Sequence, residues 1–345
     1  MNRYWTMSDK ALGGLPEPDN FTLHEGPIPK PGPGQALSRT IYVSLDPYQW
    51  YYKKRGVEPK GAVCHARTVS RIIESRMEGF EAGDLVFNVN GWAEYALMGQ
   101  GVDRPAYMIP RKLDPAVGKI SQAVGVLGML GLTAYSGMIL LGDPKAGETV
   151  VVSAASGGVG QIAGQLAKLR GARVVGIAGR QEKCRYVTDK LRFDACVSHL
   201  SPTLAEDLRE TCPNGVDVYF ENVGGAVFDA VLPLFNQGAR MTICGVIAQF
   251  AEGAEADGKA YIMRNGEAIF RVRQVKVQDL FVGDFVASYQ DMFLKDVAGW
   301  LASGEVRYRE DIRHGFETIP VAFGEMMRGG NFGKMLVQVS DDPTL

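Results

Sequence analysis

One segment of this chain strongly constrains its fold: a short apolar run, then closely spaced glycines, then an amphipathic run. Residues 149–155 are mainly apolar and rich in β-branched side chains, as in a strand that is covered on both faces. Ser156 comes next and is followed by Gly157, Gly158, Val159 and Gly160. Glycines let a backbone turn tightly and approach a ligand, and a helix N-terminus attracts anions. The order strand, glycines, helix therefore predicts a site for a dinucleotide pyrophosphate.

The next apolar run indicates which dinucleotide is bound. An NAD site carries an acidic residue about 20 residues beyond the glycines, where it binds the ribose hydroxyls. Here the run 173–179 ends in Gly179, and Arg180 and Lys183 come next. A carboxylate would repel a 2′-phosphate, whereas these cations attract it, so we predict NADPH. The alternative is that both are ordinary charges at a helix start, although cations are unfavourable in a first turn.

Length, charge and cysteine content exclude several other classes of protein. The 345 residues suggest about two domains, and 46% of them are hydrophobic. The net charge of −2 gives no reason to expect nucleic acid or an anionic membrane as a partner. No 18-residue apolar run or signal peptide is visible, so a cytoplasmic location is the default expectation. The five cysteines lack Cys-x-x-Cys spacing, which indicates reduced thiols.

The pattern of predicted strands and helices changes twice along the chain. Prolines and short strand patterns fill its first third, strands and helices then alternate, and short β-like segments return after about residue 310. We predict an α/β fold in which a Rossmann-type, doubly wound parallel sheet is inserted into a mainly β domain built from both chain ends. The predicted domains are 121–309 for the nucleotide and 1–120 with 310–345 for the substrate. Residues 251–260 are predicted to form a mobile loop. The six strands predicted for the parallel sheet are 149–155, 173–179, 194–197, 217–221, 240–244 and 276–282.

A zinc site is not expected. Cys64 and His65 are adjacent, but the next residue is Ala66 and not an acid. Adjacent residues alone do not provide a tetrahedral set of ligands. We therefore predict no metal.

Seven motifs in order resemble the zinc-independent medium-chain dehydrogenases/reductases, in the branch of the prostaglandin, leukotriene and curcumin enzymes. The resemblance covers nearly the whole chain. It implies a GroES-like domain beside the Rossmann domain, a homodimer, and NADPH-dependent reduction of the carbon–carbon double bond of α,β-unsaturated ketones or aldehydes. The motifs lie at 44–48, 128–135, 152–160, 176–184, 216–225, 243–247 and 330–334.

The resemblance also implies a set of cofactor-binding residues. Gly157, Gly158, Val159 and Gly160 would hold the pyrophosphate, and Lys183 with Arg180 the 2′-phosphate. His199 falls where relatives often have a tyrosine near that phosphate. The remaining candidates are Asn222, Cys244, Gly245, Val246, Ile247, Phe281, Val282, Gly283 and Asn331. For Asn222 the alternative is a strand-end cap, and for Asn331 a left-handed turn residue.

On the substrate side the sequence departs from its relatives. A loop that follows the first motif is shorter here, and a second family tyrosine is replaced by Phe250. Tyr52 and Tyr51 lie on this shortened loop and are the candidate catalytic residues, with Tyr52 preferred. Aromatic side chains suit a flat, apolar substrate, although each could equally be part of the core. The predicted substrate pocket comprises Tyr48, Trp50, Trp92 and Phe250.

The sequence is also compatible with two other functions. A quinone or carbonyl reductase could use the same scaffold, and it would give a quinol or an alcohol instead of a saturated ketone. A non-catalytic NADPH-binding sensor would bind the cofactor without oxidising it. The loss of family tyrosines favours the sensor slightly, whereas the intact cofactor motifs favour an enzyme.

Overall fold

The computed structural model describes residues 1–251 and 257–345. Residues 252–256 of the predicted mobile loop lie outside the described residues, whereas residues 258–260 of that stretch belong to a helix. The chain divides into two compact units. Unit 1 is Met1–Gly128 with Glu310–Leu345, and unit 2 is Met129–Arg309.

The described strands and helices follow in chain order. The strands β1 to β15 are Asn2–Met7, Phe21–Gly26, Gln35–Ser44, Thr68–Ser75, Leu85–Asn88, Tyr95–Gly99, Arg111–Lys112, Thr149–Val152, Arg173–Ala178, Ala195–Ser198, Val216–Glu221, Phe235–Ile243, Lys276–Asp279, Glu310–His314 and Lys334–Gln338. The helices α1 to α9 are Tyr48–Lys54, Met129–Tyr135, Gly160–Leu169, Gln181–Asp189, Leu204–Thr211, Gly225–Val231, Gly258–Arg273, Gly283–Ala302 and Ile319–Met327.

Unit 1 is built on a seven-stranded mixed sheet that draws strands from both of its sequence segments. Its order is β14-β15-β3-β4-β5-β7, and β6 also pairs with β3. Strand β15 pairs with β3 antiparallel and with β14 parallel, so the later segment lies inside the same sheet. Apolar side chains of β3, β4 and β15, among them Ile41, Val69 and Leu336, form one buried cluster on this sheet.

Unit 2 is built on a six-stranded parallel sheet in the order β10-β9-β8-β11-β12-β13. The inner strands β8 and β9 are almost continuously apolar and buried, as expected for a parallel sheet that is covered on both faces. The chain runs outward from β8 to β10 and then returns to start β11 beside β8. Ligands bind outside the carboxyl ends of the strands where the order reverses in this way. The predicted fold class is therefore confirmed.

Some predicted strand bounds are wrong. Strand β8 ends at Val152, not at Ala155, because Ala154 adopts a φ of 49° that a strand cannot contain. Strand β13 ends at Asp279, three residues before the predicted end. Tyr51 and Tyr52 lie in helix α1, not in a loop. None of the helices in residues 1–251 and 257–345 has the length and hydropathy needed to cross a bilayer.

Candidate functional site

In unit 2 the glycine turn joins β8 to α3 with very little space between them. A Cβ added at Gly160 would lie 2.3 Å from the carbonyl oxygen of Ala154, which is closer than real Cβ contacts. The amide of Gly157 donates to the same oxygen at 2.9 Å. No side chain caps the start of α3 at Val159. The turn therefore presents backbone amides at a helix N-terminus, which is the arrangement that binds a pyrophosphate.

A buried carboxylate organises the neighbouring strand ends. Glu221, the last residue of β11, accepts hydrogen bonds from Ser153 Oγ at 2.8 Å and from Tyr219 Oη at 2.6 Å. The backbone amide of Val223 donates to it at 2.5 Å. Burial raises the pKa of Glu221. Sequence reasoning missed this residue, although an acid that ends an apolar strand was a visible signal.

Asn222 and the segment after β12 lie against the same strand end. Asn222 donates through Nδ2 to the backbone oxygen of Ser153 at 2.7 Å, which is the strand-end contact of the alternative interpretation. The amides of Cys244 and Gly245 donate to the Glu221 carbonyl oxygen at 2.9 and 3.0 Å. Burial raises the pKa of the Cys244 thiol to about 12. Val246 and Ile247 follow and are half-buried.

The residues after β13 continue this edge of the sheet. The amide of Leu280 donates to the carbonyl oxygen of Ile243 at 3.1 Å, which brings the ends of β13 and β12 together. Phe281 comes next and is 49% exposed, and Val282 and Gly283 begin α8. Because the strands are parallel, their carboxyl ends meet at one edge. The predicted cofactor residues of unit 2 that follow β8, β11, β12 and β13 thus share that edge.

The predicted 2′-phosphate site lies at the end of β9. Arg180 is exposed and precedes α4 without a side-chain cap. A Cβ added at Gly179 would lie 3.4 Å from His199 Nε2 and 3.9 Å from Lys183 Cδ, so these side chains flank Gly179. Burial, together with the charge of Lys183, lowers the pKa of His199. The structure therefore brings the three predicted basic residues to one strand end.

Asn331 lies in unit 1, in the turn before β15. Its Nδ2 donates to the carbonyl oxygen of Gly333 at 2.7 Å. The positive φ angles of this turn belong to Gly329 at 72° and Gly333 at 97°, and Asn331 is not left-handed. The interpretation of Asn331 as a left-handed residue is therefore wrong.

Unit 1 carries a group of half-buried polar rings that we call the phenol cluster: Tyr48, Tyr52, Tyr107 and His65. Tyr48 and Tyr52 are four residues apart in α1 and so share a helix face, with ring centroids 5.1 Å apart. Tyr48 Oη lies 2.9 Å from His65 Nε2, and Tyr52 hydrogen-bonds with Tyr107. Burial, with a contribution from Tyr52, raises the pKa of Tyr107 to about 12.

Tyr51 points away from this face. It is 38% exposed, and the guanidinium of Arg55 lies 5.3 Å from the centre of its ring. Of the two predicted catalytic tyrosines, Tyr52 therefore has surroundings that suit an active site better than those of Tyr51. Helix α1 also explains why the two differ, because successive helical residues face in different directions.

Next to the phenol cluster lies a group of fully buried ions that we call the charge cluster: Asp46, Arg67 and Lys334. Asp46 lies 2.7 Å from Arg67 Nη2 and 2.9 Å from Lys334 Nζ. Burial alone would raise the pKa of Asp46, but the two cations hold it well below its usual range. Burial lowers the pKa of Lys334 to about 8, against the effect of Asp46. The guanidinium of Arg67 lies 5.5 Å from the ring centre of Tyr48.

Two predicted pocket residues belong to the core of unit 1. Trp50 and Trp92 are both 0% exposed, and each packs against Phe21 and Phe323. Trp50 Nε1 also donates to the carbonyl oxygen of Gly14 at 2.9 Å. A side chain without exposed surface has none to offer a ligand, so their assignment to the pocket is wrong. Phe250 is half-buried in unit 2, on a 3-10 turn formed by Ile247–Ala251.

Comparison with known proteins decides the family. The chain is 38% identical to NADPH-dependent curcumin reductase of Escherichia coli, over 99% of this chain and 98% of that protein. It is 35% identical to prostaglandin reductase 1 of Rattus norvegicus, over 97% and 98% of the two chains. The chain belongs to the medium-chain dehydrogenase/reductase family. Within that family it lies in the branch of these reductases, as the sequence motifs predicted.

Family models and solved structures agree with this membership in the medium-chain dehydrogenases/reductases. Residues 3–103 match an N-terminal domain of oxidoreductases, and residues 158–298 match a domain described as zinc-binding dehydrogenase. The crystal structure of CurA from Vibrio vulnificus in complex with NADPH superposes with a TM-score of 0.87 at 38% identity. That alignment covers 99% of this chain and 100% of the other.

One domain of this medium-chain dehydrogenase/reductase matches a model described as zinc-binding dehydrogenase, which raises the question of whether the chain has ligands for a metal ion. Within the described ranges 1–251 and 257–345, no group of three or more His, Cys, Asp or Glu side chains is placed to hold a metal ion. Cys64 is buried, which raises the pKa of its thiol to about 12. Its neighbour His65 forms a hydrogen bond with Tyr48 through Nε2.

Proposed function

We propose that this chain is an NADPH-dependent reductase of the carbon–carbon double bond of α,β-unsaturated ketones and aldehydes. The observation that carries the proposal is similarity over almost the full length to enzymes named curcumin reductase and prostaglandin reductase. The test is NADPH consumption against a panel of conjugated ketones, aldehydes and quinones, with the products identified. Saturated carbonyl products support the proposal, whereas alcohols or quinols would replace it with a carbonyl or quinone reductase.

The residues of unit 2 fit the cofactor that this reaction requires. The close approach at Gly160 leaves a cradle that a Cβ would fill, and the helix start behind it suits a pyrophosphate. Arg180 and Lys183, with His199, would hold the 2′-phosphate. The other residues of unit 2 proposed to contact NADPH are Gly157, Gly158, Val159, Asn222, Cys244, Gly245, Val246, Ile247, Phe281, Val282 and Gly283. Asn331 of unit 1 is proposed as a further contact.

Removing the phosphate-binding cations should change the choice of cofactor. We expect Arg180→Ala combined with Lys183→Ala to raise KM for NADPH about 10- to 100-fold, because charge-assisted hydrogen bonds contribute about 1.5–3 kcal/mol. KM for NADH should hardly change. Lys190→Ala, at an exposed position that ends the same helix, is the control. Equal losses with both cofactors would contradict the assignment.

The phenol cluster provides the chemistry expected on the substrate side. NADPH, when bound, supplies the hydride that adds to the β-carbon of the substrate. Negative charge then develops on the carbonyl oxygen, which needs a hydrogen-bond donor. We assign this role to the hydroxyl of Tyr52, with Tyr51 as the less suited candidate. Of the predicted pocket residues, Tyr48 and Phe250 keep the partial exposure that contact with a substrate requires.

Tyr52→Phe should lower kcat by about 100-fold, since a removed donor to a developing oxyanion costs about that much. The Kd for NADPH should stay unchanged, because the substitution removes only a hydroxyl. Both are measurable, one by absorbance at saturating enone and the other by cofactor fluorescence. Tyr51→Phe made in parallel decides between the neighbours, and a larger loss there would transfer the role to Tyr51.

The assembly and location of the enzyme are part of the same proposal. The family implies a homodimer, and sedimentation equilibrium that returns the mass of one chain would contradict it. The five cysteines are free thiols, which suits the reducing cytoplasm proposed as its location.

A further inference from the structure

The reaction needs a second group besides the donor to the carbonyl oxygen, because the α-carbon must also gain a proton. The phenol cluster contains a second phenol on the same face of α1, Tyr48. Its partner differs from that of Tyr52. Tyr48 Oη lies 2.9 Å from an imidazole nitrogen of His65, whereas Tyr52 hydrogen-bonds with another phenol, Tyr107.

What Tyr48 can offer a substrate depends on its hydrogen bond with His65. A phenol has a single proton. If the imidazole accepts that proton, the hydroxyl has none left for a substrate. If the imidazole donates instead, the O–H of Tyr48 is free to point elsewhere.

The surroundings of His65 keep its ring neutral. Burial, and then the charges of Lys53 and Arg67, lower the pKa of His65 to about 4, although Asp46 opposes the shift. At neutral pH the ring therefore carries one proton, on either Nδ1 or Nε2. A neutral ring fixed next to Tyr48 has one defined role, as donor or as acceptor.

We propose that His65, in its Nε2–H form, donates to Tyr48 Oη and thereby directs the Tyr48 hydroxyl to protonate the substrate α-carbon. The inference rests on the proposed enone reduction. A C–H bond forms at the α-carbon while the O–H bond of Tyr48 breaks, and the electron pair of that bond stays on the phenolate oxygen. A proton from solvent then restores the phenol. In this scheme Tyr48 is the catalytic residue and His65 its positioning residue.

Burial raises the pKa of Tyr48, and the charge of Arg67 opposes that rise and so favours this step. A phenol is a stronger acid than the α-carbon of a ketone, so the transfer runs downhill. The phenolate that forms lies beside Arg67, whose guanidinium is 5.5 Å from the ring centre. Within the charge cluster Asp46 raises the pKa of Tyr48, so Arg67 is the member of the cluster that stabilises the new anion. If the hydrogen bond between Tyr48 and His65 were only structural, it would satisfy two half-buried polar groups and have no effect on catalysis.

The position of the imidazole proton is the first test. The chain has four histidines, so ¹⁵N NMR of imidazole-labelled protein resolves them, and His65→Gln assigns the signal. We expect the Nε2–H form of His65 at neutral pH. A dominant Nδ1–H form would overturn the inference, whatever the enzyme reduces.

The second test is kinetic, with 4-phenyl-3-buten-2-one as the enone. Tyr48→Phe should lower kcat about 100-fold, the lower end of the range of general acid catalysis, and His65→Leu, which removes only the positioning group, should lower it less, about 10-fold. The solvent isotope effect on kcat should increase in His65→Leu, because proton transfer becomes slower. His65→Gln should recover most of the loss, since its amide can still donate. The Kd for NADPH, measured on all variants, should match the wild type and verifies that unfolding is not the cause.

The outcomes separate this inference from the proposed function. If the wild type reduces the enone and His65→Leu does so at the same rate with the same isotope effect, the role of His65 is refuted while the proposed function stands. If the wild type reduces no member of the enone panel, the proposed function fails, and the catalytic role of Tyr48 and His65 fails with it.

Discussion

Asp46→Asn should lower the free energy of unfolding of unit 1 by about 3–5 kcal/mol, the usual cost of removing one partner from a buried ion pair. The carboxylate of Asp46 is the single anion of the charge cluster, against Arg67 and Lys334. It also accepts a hydrogen bond from Ser44 Oγ at 2.6 Å. The amide would leave two buried cations without a counter-charge. Urea unfolding followed by circular dichroism measures the loss.

Two control variants should lose much less stability than Asp46→Asn. Lys334→Met leaves Arg67 and Asp46 as a matched pair and replaces an ammonium with apolar atoms, so we expect a much smaller loss. Asp19→Asn breaks the exposed ion pair with Lys10 and should cost less than about 1 kcal/mol. If all three variants lost the same stability, the charge cluster would not have the role described.

The charge cluster also predicts how stability depends on pH. The pKa of Asp46 lies below its value in an unfolded chain. Its contribution is therefore complete above about pH 4, the pKa of an unfolded aspartate, and is lost as the pH falls through the folded pKa. The wild type should lose this contribution in acid, whereas Asp46→Asn has none to lose. Unfolding at a series of pH values would show the two curves converging as the pH falls.

Gly160→Ala should lower kcat/KM for NADPH by about 100-fold, the cost of a misplacement of about 1 Å at a reaction site. The new Cβ would lie 2.3 Å from the backbone oxygen of Ala154. Backbone at the end of a strand and at the start of a helix cannot move aside as a flexible side chain could. The turn must open, and its amides then leave the positions that suit the pyrophosphate. Initial rates against NADPH concentration measure the change.

The matched control is a glycine-to-alanine change in a helix with room for it. A Cβ at Gly299 in α8 would meet no atom within 4 Å. Gly299→Ala should leave the kinetics unchanged and add about 0.5–1 kcal/mol of stability, the ordinary gain in a helix interior. Gly160→Ala should instead cost about 1–3 kcal/mol through overpacking. A Gly160→Ala enzyme with wild-type kinetics would refute the close-packed turn as the cofactor cradle.

The parallel sheet of unit 2 was predictable from the sequence because its signals are local. A buried strand, its glycines and the following helix occupy one continuous stretch around Gly157 and Gly160, and similar runs recur for the other strands. The end of β8 was not predictable, because nothing in the sequence shows that Ala154 adopts a φ of 49°. A positive φ at alanine is imposed by the surrounding structure and not by its own preference.

The substrate side was harder to predict because its contacts join distant residues. Arg67 and Lys334 both reach Asp46 although they are far apart in the chain, and no periodic pattern connects them. The tryptophans show the opposite problem. Aromatic character suits a core and a pocket equally, and only the packing of Trp50 and Trp92 against Phe21 and Phe323 decides for the core.

The position of β15 inside the sheet of unit 1 has a consequence for how the polypeptide folds as it leaves the ribosome. Strand β15 lies between β3 and β14, and the ribosome makes it long after β3. Unit 2, by contrast, has received all of its strands before β14 is synthesised. The nucleotide-binding half can therefore fold during translation, while residues 42–44 of β3, which pair with β15, wait unpaired for residues that emerge about 300 codons later. Chaperone dependence of this enzyme should accordingly trace to its first hundred residues.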